Sequence, residues 1–145
     1  MKSTITLFLG LGAMFLVTST ALAAEAHKTP VAPAEFLKMK NPVDADDVDK
    51  KFLKKVGRLY KSKCKKCHGT EGDGKGSAAD DMVLKPTAFN APGYLKSRKD
   101  GQLFWITRDG SKGTEMKAFG PGTDVNLSEE EIWKLIAFMR EKFTQ

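Results

Sequence analysis

The stretch Cys64-Lys65-Lys66-Cys67-His68 determines how the rest of the chain is interpreted. It holds both cysteines of the sequence and one of the two histidines. Cys-x-x-Cys-His is the attachment signature of a c-type haem. The spacing lets two thiols reach two vinyl groups on one face of the macrocycle, and it delivers His68 beneath the iron as an axial ligand. The motif therefore predicts one covalent haem c, attached through Cys64 and Cys67.

Three other uses of these cysteines explain the sequence less well. A redox Cys-x-x-Cys site has no need of the adjacent His68, and the βαβ pattern expected around it is absent. A zinc site needs a fourth ligand, but the other histidine, His27, lies in a proline-rich segment near the N-terminus. A disulfide between Cys64 and Cys67 would close a strained ring, although two cysteines in an exported chain would otherwise suggest one.

The first 23 residues have the layout of a secretory signal peptide. Met1-Lys2 gives a basic start, residues 5–17 are apolar and uncharged, and Ala21-Leu22-Ala23 fits a small-x-small cleavage site. We expect export to the periplasm, with an uncleaved membrane anchor as the alternative. The apolar run is shorter than the roughly 20 residues that span a bilayer. We therefore expect no stable membrane insertion after cleavage.

The remaining chain is long enough for one domain, since the whole sequence has 145 residues. Hydrophobic residues make up 41% and charged residues 29%, which is typical of a globular protein. Residues 24–46 are rich in proline and alanine and predict an extended tether, from which Phe36 and Leu37 could dock on the domain. The domain itself is expected over residues 47–145.

A helix is predicted directly before the haem motif. Its apolar residues recur every four positions, which is the spacing of one helical face. Asp46 or Asp47 is expected to cap its first turn. The stripe consists of Val48, Phe52, Val56 and Tyr60.

Two further helices are predicted after the glycine-rich residues 69–76, which must be irregular backbone. One covers residues 100–109 and stops at Gly110. The other begins at a capping box formed by Ser128 and Glu131. Its apolar stripe consists of Ile132, Ile136, Met139 and Phe143. No run alternates apolar and polar residues as a strand would, so the sequence predicts an all-α fold.

A methionine is the expected sixth ligand of the iron, because no second histidine is predicted in the core. Met139 lies on the apolar face of the last helix and is predicted to be a core residue. Met116 lies in the loop after the helix over 100–109, which is long enough to bring its sulfur to the far face. We favour Met116 and keep Met82 as the alternative.

The chain resembles the class I c-type cytochromes, which are small monohaem electron carriers, between residues 47 and 143. The glycine-rich loop after the motif is typical of bacterial members, and Lys117 stands where the family's Met-Pro-Ala-Phe-Gly ligand loop has proline. The resemblance is carried by Gly57 with Tyr60, by the haem motif, by Phe104-Trp105-Ile106 with Gly110, and by Met116-Lys117-Ala118-Phe119-Gly120.

The resemblance implies a cytochrome c fold, in which three to five helices wrap around one covalent haem and the N- and C-terminal helices cross. It implies that Gly57 lets these helices approach closely, with Tyr60, Trp133 and Ile136 near the crossing. It also implies that the carbonyl of Pro86 accepts a hydrogen bond from the axial histidine, which raises ligand basicity.

A His/Met iron has both axial positions filled, so oxygen and peroxide find no open site. We therefore expect a soluble, monomeric periplasmic carrier that transfers one electron at a time, and no enzyme activity. The first alternative is a haem subunit held permanently in a larger oxidoreductase. A second alternative is a gas-binding or peroxidatic haem with an open position.

The chain is basic, with 24 Lys and Arg against 18 Asp and Glu and a net charge of +6. We expect lysines around the haem edge to favour a redox partner with an acidic docking face. Nucleic acid is not an expected partner of an exported haem protein. The lysines in question are Lys63, Lys65, Lys66, Lys75, Lys85, Lys112 and Lys117.

Overall fold

The structure is a computed structural model that describes residues 29–145. These residues form six α-helices and one 3-10 turn, and no strand occurs among them, which confirms the all-α prediction. The helices are α1 (Ala34–Leu37), α2 (Lys50–Lys63), α3 (Lys65–His68), α4 (Tyr94–Ser97), α5 (Asp100–Asp109) and α6 (Glu129–Phe143), and the 3-10 turn is Ala45–Asp47.

Three of the six helices are single turns. The total is one more than the three to five helices that we expected. The signal peptide predicted over residues 1–23 lies outside the described residues. Within residues 29–145, no helix is long and apolar enough to cross a membrane.

Helix α2 is capped by Asp49, whose Oδ1 accepts a hydrogen bond from the Phe52 N–H at 2.7 Å. The prediction of Asp46 or Asp47 as the cap is wrong, because both residues belong to the preceding 3-10 turn. Several aspartates in a row offer the same cap, and the turn leaves only the last of them at the helix start. Val56 and Tyr60 form the buried face of α2, as predicted, and Phe52 is half-buried. Val48, the first residue of the predicted stripe, lies before the helix begins.

Helix α5 has the predicted bounds, and α6 begins at the predicted capping box. Helix α5 ends at Gly110, whose φ of 81° belongs to the left-handed region that glycine favours. In front of α6, the Ser128 Oγ accepts from the Glu131 N–H at 3.2 Å, and Glu131 Oε2 accepts from the Ser128 N–H at 2.9 Å. The capping box is therefore confirmed, and Met139 is buried in the core.

Helices α2 and α6 cross through a cluster of aromatic rings. The Tyr60 ring lies 5.5 Å from the ring of Phe138 and 5.2 Å from that of Phe143, measured between centroids. A Cβ atom on Gly57 would lie 3.2 Å from Phe138 Cε2. Gly57 thus permits the close approach of α2 and α6 that the resemblance implied, and Ile136 is fully buried nearby in the same core.

The prediction of an extended tether over residues 24–46 is wrong for its described part, because this segment packs on the domain. We call residues 29–43 the N-terminal segment. The Ala32 N–H donates to Gln102 Oε1 at 2.8 Å, and Asn41 Nδ2 donates to the Trp133 carbonyl at 2.9 Å. The folded domain therefore includes residues well before the predicted start at 47.

Phe36 joins the N-terminal segment to the core through a stack of three aromatic rings. Its ring lies 6.4 Å from that of Phe104 on α5, which in turn stacks on Trp133 of α6 at 4.1 Å. Trp133 thus packs against α5, while Phe138 and Phe143 make the aromatic contacts at the α2–α6 crossing. Pro33 precedes the first residue of α1, a position where proline is compatible with a helix.

Candidate haem site

The predicted site residues meet on the wall of one cavity of about 610 Å³, which we call the haem cavity. Cys64, Cys67 and His68 contribute one part of this wall, and Met82 and Met116 contribute another. Its volume is within the range of small-molecule and cofactor sites. Apolar side chains from α5, α6 and the loop between them complete the wall, among them Leu103, Ile106, Phe119, Leu127, Leu135 and Met139.

The junction of α2 and α3 places the motif. Cys64 ends α2, and its carbonyl accepts from the His68 N–H at 3.0 Å, so one helical turn carries Cys67 and His68. The two cysteines do not form a disulfide. Burial, and secondarily the neighbouring Cys67, raises the pKa of the Cys64 thiol to about 12. In these surroundings the Cys64 thiol is held in its protonated form.

The ring of His68 is half-buried and has a fixed orientation. Its Nδ1 lies 3.1 Å from the Thr87 carbonyl oxygen, and its ring stacks on Phe89 at 4.3 Å between centroids. Because a carbonyl can only accept, Nδ1 carries the hydrogen and Nε2 keeps its lone pair. Burial lowers the pKa of His68, although the Thr87 carbonyl partly opposes this shift. The ring is therefore held in the neutral form that a metal ligand requires.

The prediction of which carbonyl faces His68 is wrong by one residue. We expected the carbonyl of Pro86, but the accepting oxygen belongs to Thr87, the next residue. The Pro86 carbonyl instead lies against Gly74, so closely that a Cβ atom on Gly74 would overlap it. The loop after Gly76 thus supplies a carbonyl partner for His68, as expected, but from Thr87 and not from Pro86.

The glycine-rich loop folds back on the motif and holds it. The Gly74 N–H donates to the His68 carbonyl at 3.0 Å, and the Tyr60 hydroxyl donates to the Gly69 carbonyl at 2.9 Å. Burial raises the pKa of Tyr60, which keeps this hydroxyl protonated. Gly69 and Gly74 have φ values of 79° and 73°, which other residues rarely adopt. The loop therefore positions His68.

Met116 is held on the cavity wall by a loop anchored to the end of α5. Its carbonyl accepts from the Ser111 N–H at 2.8 Å, and its N–H donates to Thr114 Oγ1 at 3.0 Å. A Cβ atom on Gly110 would come within 2.8 Å of the Met116 carbonyl oxygen, so the loop turns back closely at this glycine. These contacts fix the backbone of Met116 on both sides.

Met82 also lies on the cavity wall, in a less connected loop. Its N–H donates to the Ala79 carbonyl at 3.2 Å, and Lys85 Nζ donates to the same carbonyl at 3.1 Å. The structure thus brings both candidate methionines to the haem cavity. The imidazole and thioether donors present there suit the iron of a haem.

Two contributors to the site were missed in the sequence. Phe89, which stacks on His68, and Thr29, which reaches the cavity wall from the N-terminal segment, have no spacing signal of their own. The aromatic residue three positions after Pro86 was the only hint of the first. Of the seven lysines that we expected near the haem, Lys63, Lys85 and Lys117 lie on the cavity wall, whereas the other four do not.

The fold and the donor set of the cavity define a c-type cytochrome. Residues 52–139 match the family described as cytochrome c oxidase, cbb3-type, subunit III, and the chain belongs to that family. Cytochrome c family members bind haem c covalently, and the single Cys-x-x-Cys-His motif of this chain provides for one. The family's role is electron transfer. No protein with a curated functional description matches the sequence.

Two solved structures support the fold. A chain of the Kuenenia stuttgartiensis reducing HAO-like protein complex is 23% identical, with a TM-score of 0.58, over 75% of this chain and 49% of that one. The KustC0563 c-type cytochrome is 21% identical, with a TM-score of 0.50, over 62% of this chain and 98% of that one. This chain therefore spans about half the length of the first and nearly all of the second.

Proposed function

We propose that the protein transfers single electrons between redox partners through one haem c. Cys64 and Cys67 would hold the haem by thioether bonds, and His68 and Met116 would ligate its iron. The observation that carries this proposal is that these four side chains share the wall of one cavity. When bound, the haem supplies a one-electron ferric/ferrous couple.

The surrounding residues suit this role. The Thr87 carbonyl fixes the Nδ1–H of His68 and raises the basicity of the ligating nitrogen. A thioether from Met116 would raise the reduction potential, and it would occupy the position at which oxygen or peroxide would otherwise bind. The wall is mostly apolar, so a bound haem would lie in a largely apolar environment. Met82 remains the alternative ligand.

The mouth of the cavity suits an acidic redox partner. Lys63, Lys85 and Lys117 lie on its wall, and Glu115 is the acidic side chain among them. A local excess of positive charge speeds the approach of an anionic partner at low salt. We propose that the protein acts as a soluble monomer after export to the periplasm by residues 1–23, with the domain reaching back at least to residue 29.

A second candidate function is that of a haem subunit held permanently in an oxidoreductase complex. The family is described by an oxidase subunit, and one structural neighbour belongs to a protein complex. Copurification with other proteins at a fixed ratio would support this candidate, whereas a monomer on size-exclusion chromatography would support the free carrier.

A redox titration of the purified full-length protein tests the proposed function. We expect one reversible one-electron step, and no spectral change when carbon monoxide is added to the reduced protein. Rapid carbon monoxide binding would contradict the proposal, because it requires an open or weakly filled axial position.

A further inference from the structure

A second cavity, of about 440 Å³, lies where α2 and α6 cross, and we call it the crossing groove. Its floor is apolar and consists of Leu53, Phe138 and Phe143. Phe138 and Phe143 are buried, whereas Leu53 is half-buried. No residue of its wall belongs to the wall of the haem cavity, so the crossing groove is a separate feature of the surface.

The rim of the crossing groove is strongly basic. Lys54, Arg58, Lys61 and Lys142 lie on it and are exposed, and Glu71 is the acidic residue among them. In the part of the chain that the structure describes, none of these four cations forms an ion pair within 4 Å. Their charge is therefore available to an external anionic group.

Helix α2, which supplies three of these four cations, has no acidic residue in its sequence KKFLKKVGRLYKSK. Two arginines of α5 and α6 are arranged differently. Arg140 pairs with Asp100 at 2.6 Å, and Arg108 pairs with Asp109 at 2.7 Å. Unpaired cations of one sign repel one another until an anionic partner neutralises them. The rim of the crossing groove thus carries four cations that form no ion pair among the described residues.

We infer that the crossing groove docks an acidic segment of a partner protein. Carboxylates of that segment would face Arg58 and Lys61, and one of its apolar side chains would lie on the floor formed by Leu53 and Phe138. The concave shape favours a protein over a membrane, since a planar anionic surface would reach the rim but not the floor. Such docking leaves the haem cavity open, so the protein could be held and exchange electrons at the same time.

A peptide titration of the full-length reduced holoprotein tests this inference. The probe is a 12-residue peptide of glutamates with a central Leu-Phe pair, and the comparison is an all-glutamate peptide of equal length. We expect the probe to shift the backbone amide NMR signals of Gly57, Lys61 and Thr70. We expect the all-glutamate peptide to bind at least about threefold more weakly, because it gains nothing from the apolar floor.

Charge-reversal variants show whether the probe binds in the crossing groove or responds only to the net charge of the protein. Arg58→Glu with Lys61→Glu is expected to weaken binding of the probe by about tenfold or more. Lys96→Glu with Lys99→Glu changes the net charge equally at exposed positions outside both cavities, and is expected to leave the affinity within about threefold. Circular dichroism and the haem spectrum check that both double variants fold.

Three outcomes would overturn the inference. Shifts confined to the residues of the haem cavity would place the probe there and not in the crossing groove. Equal loss of affinity in both double variants would show that the probe responds only to the overall charge. Binding to phosphatidylglycerol vesicles that depends on Arg58 and Lys61, with no binding of the peptide, would assign this surface to a membrane. None of these readouts depends on electron transfer, so they are independent of the proposed function.

Discussion

The imidazole of His68 is fixed by groups that are distant in sequence from the motif itself. Thr87 accepts its Nδ1–H and Phe89 stacks on its face, while Gly74 binds its backbone carbonyl. Each contact restricts a different movement of the ring. Nε2, which we propose as the iron ligand, is therefore oriented by the protein, and this would reduce the structural change that a change of oxidation state requires.

Removal of the thiols tests the covalent attachment. We expect the Cys64→Ser, Cys67→Ser double variant to lose all covalently bound haem, because no other cysteine exists in the chain. Each single variant should keep at most one thioether. Mass spectrometry under denaturing conditions measures the added mass of the haem, with Ser62→Ala as an unaffected control. Haem that stays attached to the double variant would contradict the assignment.

The sequence predicted the residues of the motif but not the partner of His68. Cys-x-x-Cys-His is a local pattern whose chemistry depends on neighbours in the chain. The accepting carbonyl depends on how the loop after Gly76 turns, and Pro86 and Thr87 differ by one position in that path. Composition and periodicity do not show which of two neighbouring loop residues turns its carbonyl toward a given side chain.

At the level of elements, the N-terminal segment is part of the fold because α5 makes room for it. The backbone of Phe36 passes so close to Gly101 that a Cβ atom on this glycine would overlap the Phe36 carbonyl. The same segment is joined to α5 through the two hydrogen bonds that Gln102 makes to Ala32 and Pro30. The contact therefore depends on a glycine inside a helix, where alanine is usually better.

The substitution Gly101→Ala tests this packing. We expect it to lower the free energy of unfolding by about 2 kcal/mol, since the overlap must be relieved by displacing the segment. Chemical denaturation of the full-length holoprotein measures the change. Ser62→Ala, at an exposed position of α2, should change stability by less than about 0.5 kcal/mol. If Gly101→Ala stabilised the protein, as helix propensity alone requires, the packing account would be wrong.

The elements differ in how well the sequence predicted them, for physical reasons. Gly110 marks the end of α5, and the capping box of Ser128 marks the start of α6. These two bounds could therefore be predicted from local residues. The N-terminal segment has prolines that indicate extended backbone, but its packing is decided by Phe104 and Gly101, about 70 residues further along the chain. Local patterns do not encode such contacts.

For the described part of the molecule, the cations fall into two groups, those held in ion pairs and those without one. Arg140 donates to the carbonyls of Leu95 and Arg98 as well as to Asp100, which joins α4, α5 and α6. The cations of α2 and of the cavity mouth form no such pairs among residues 29–145. The contacts of Arg140 thus hold three helices together, and the cations of α2 and of the cavity mouth are available for association with anionic partners.

The mouth of the haem cavity should therefore attract anionic reagents. We expect the rate at which hexacyanoferrate(II) reduces the oxidised protein to fall several-fold between low and physiological salt, because ions screen the attraction. Lys85→Glu with Lys117→Glu should lower the rate at low salt, whereas Lys96→Glu with Lys99→Glu should have a smaller effect. A rate that responds neither to salt nor to these variants would rule out electrostatic steering at the mouth. Stopped-flow absorbance measures the rate of this reduction.

The most direct test of the central claim, that His68 and Met116 ligate a covalent haem c, is the absorption spectrum of the oxidised and reduced protein. We predict a low-spin c-type spectrum whose ferric form shows the methionine–iron band. That band should be lost in Met116→Ala and kept in Met82→Ala. Loss of the band in Met82→Ala alone would move the sixth ligand to Met82, and a high-spin spectrum of the unaltered protein would contradict the claim.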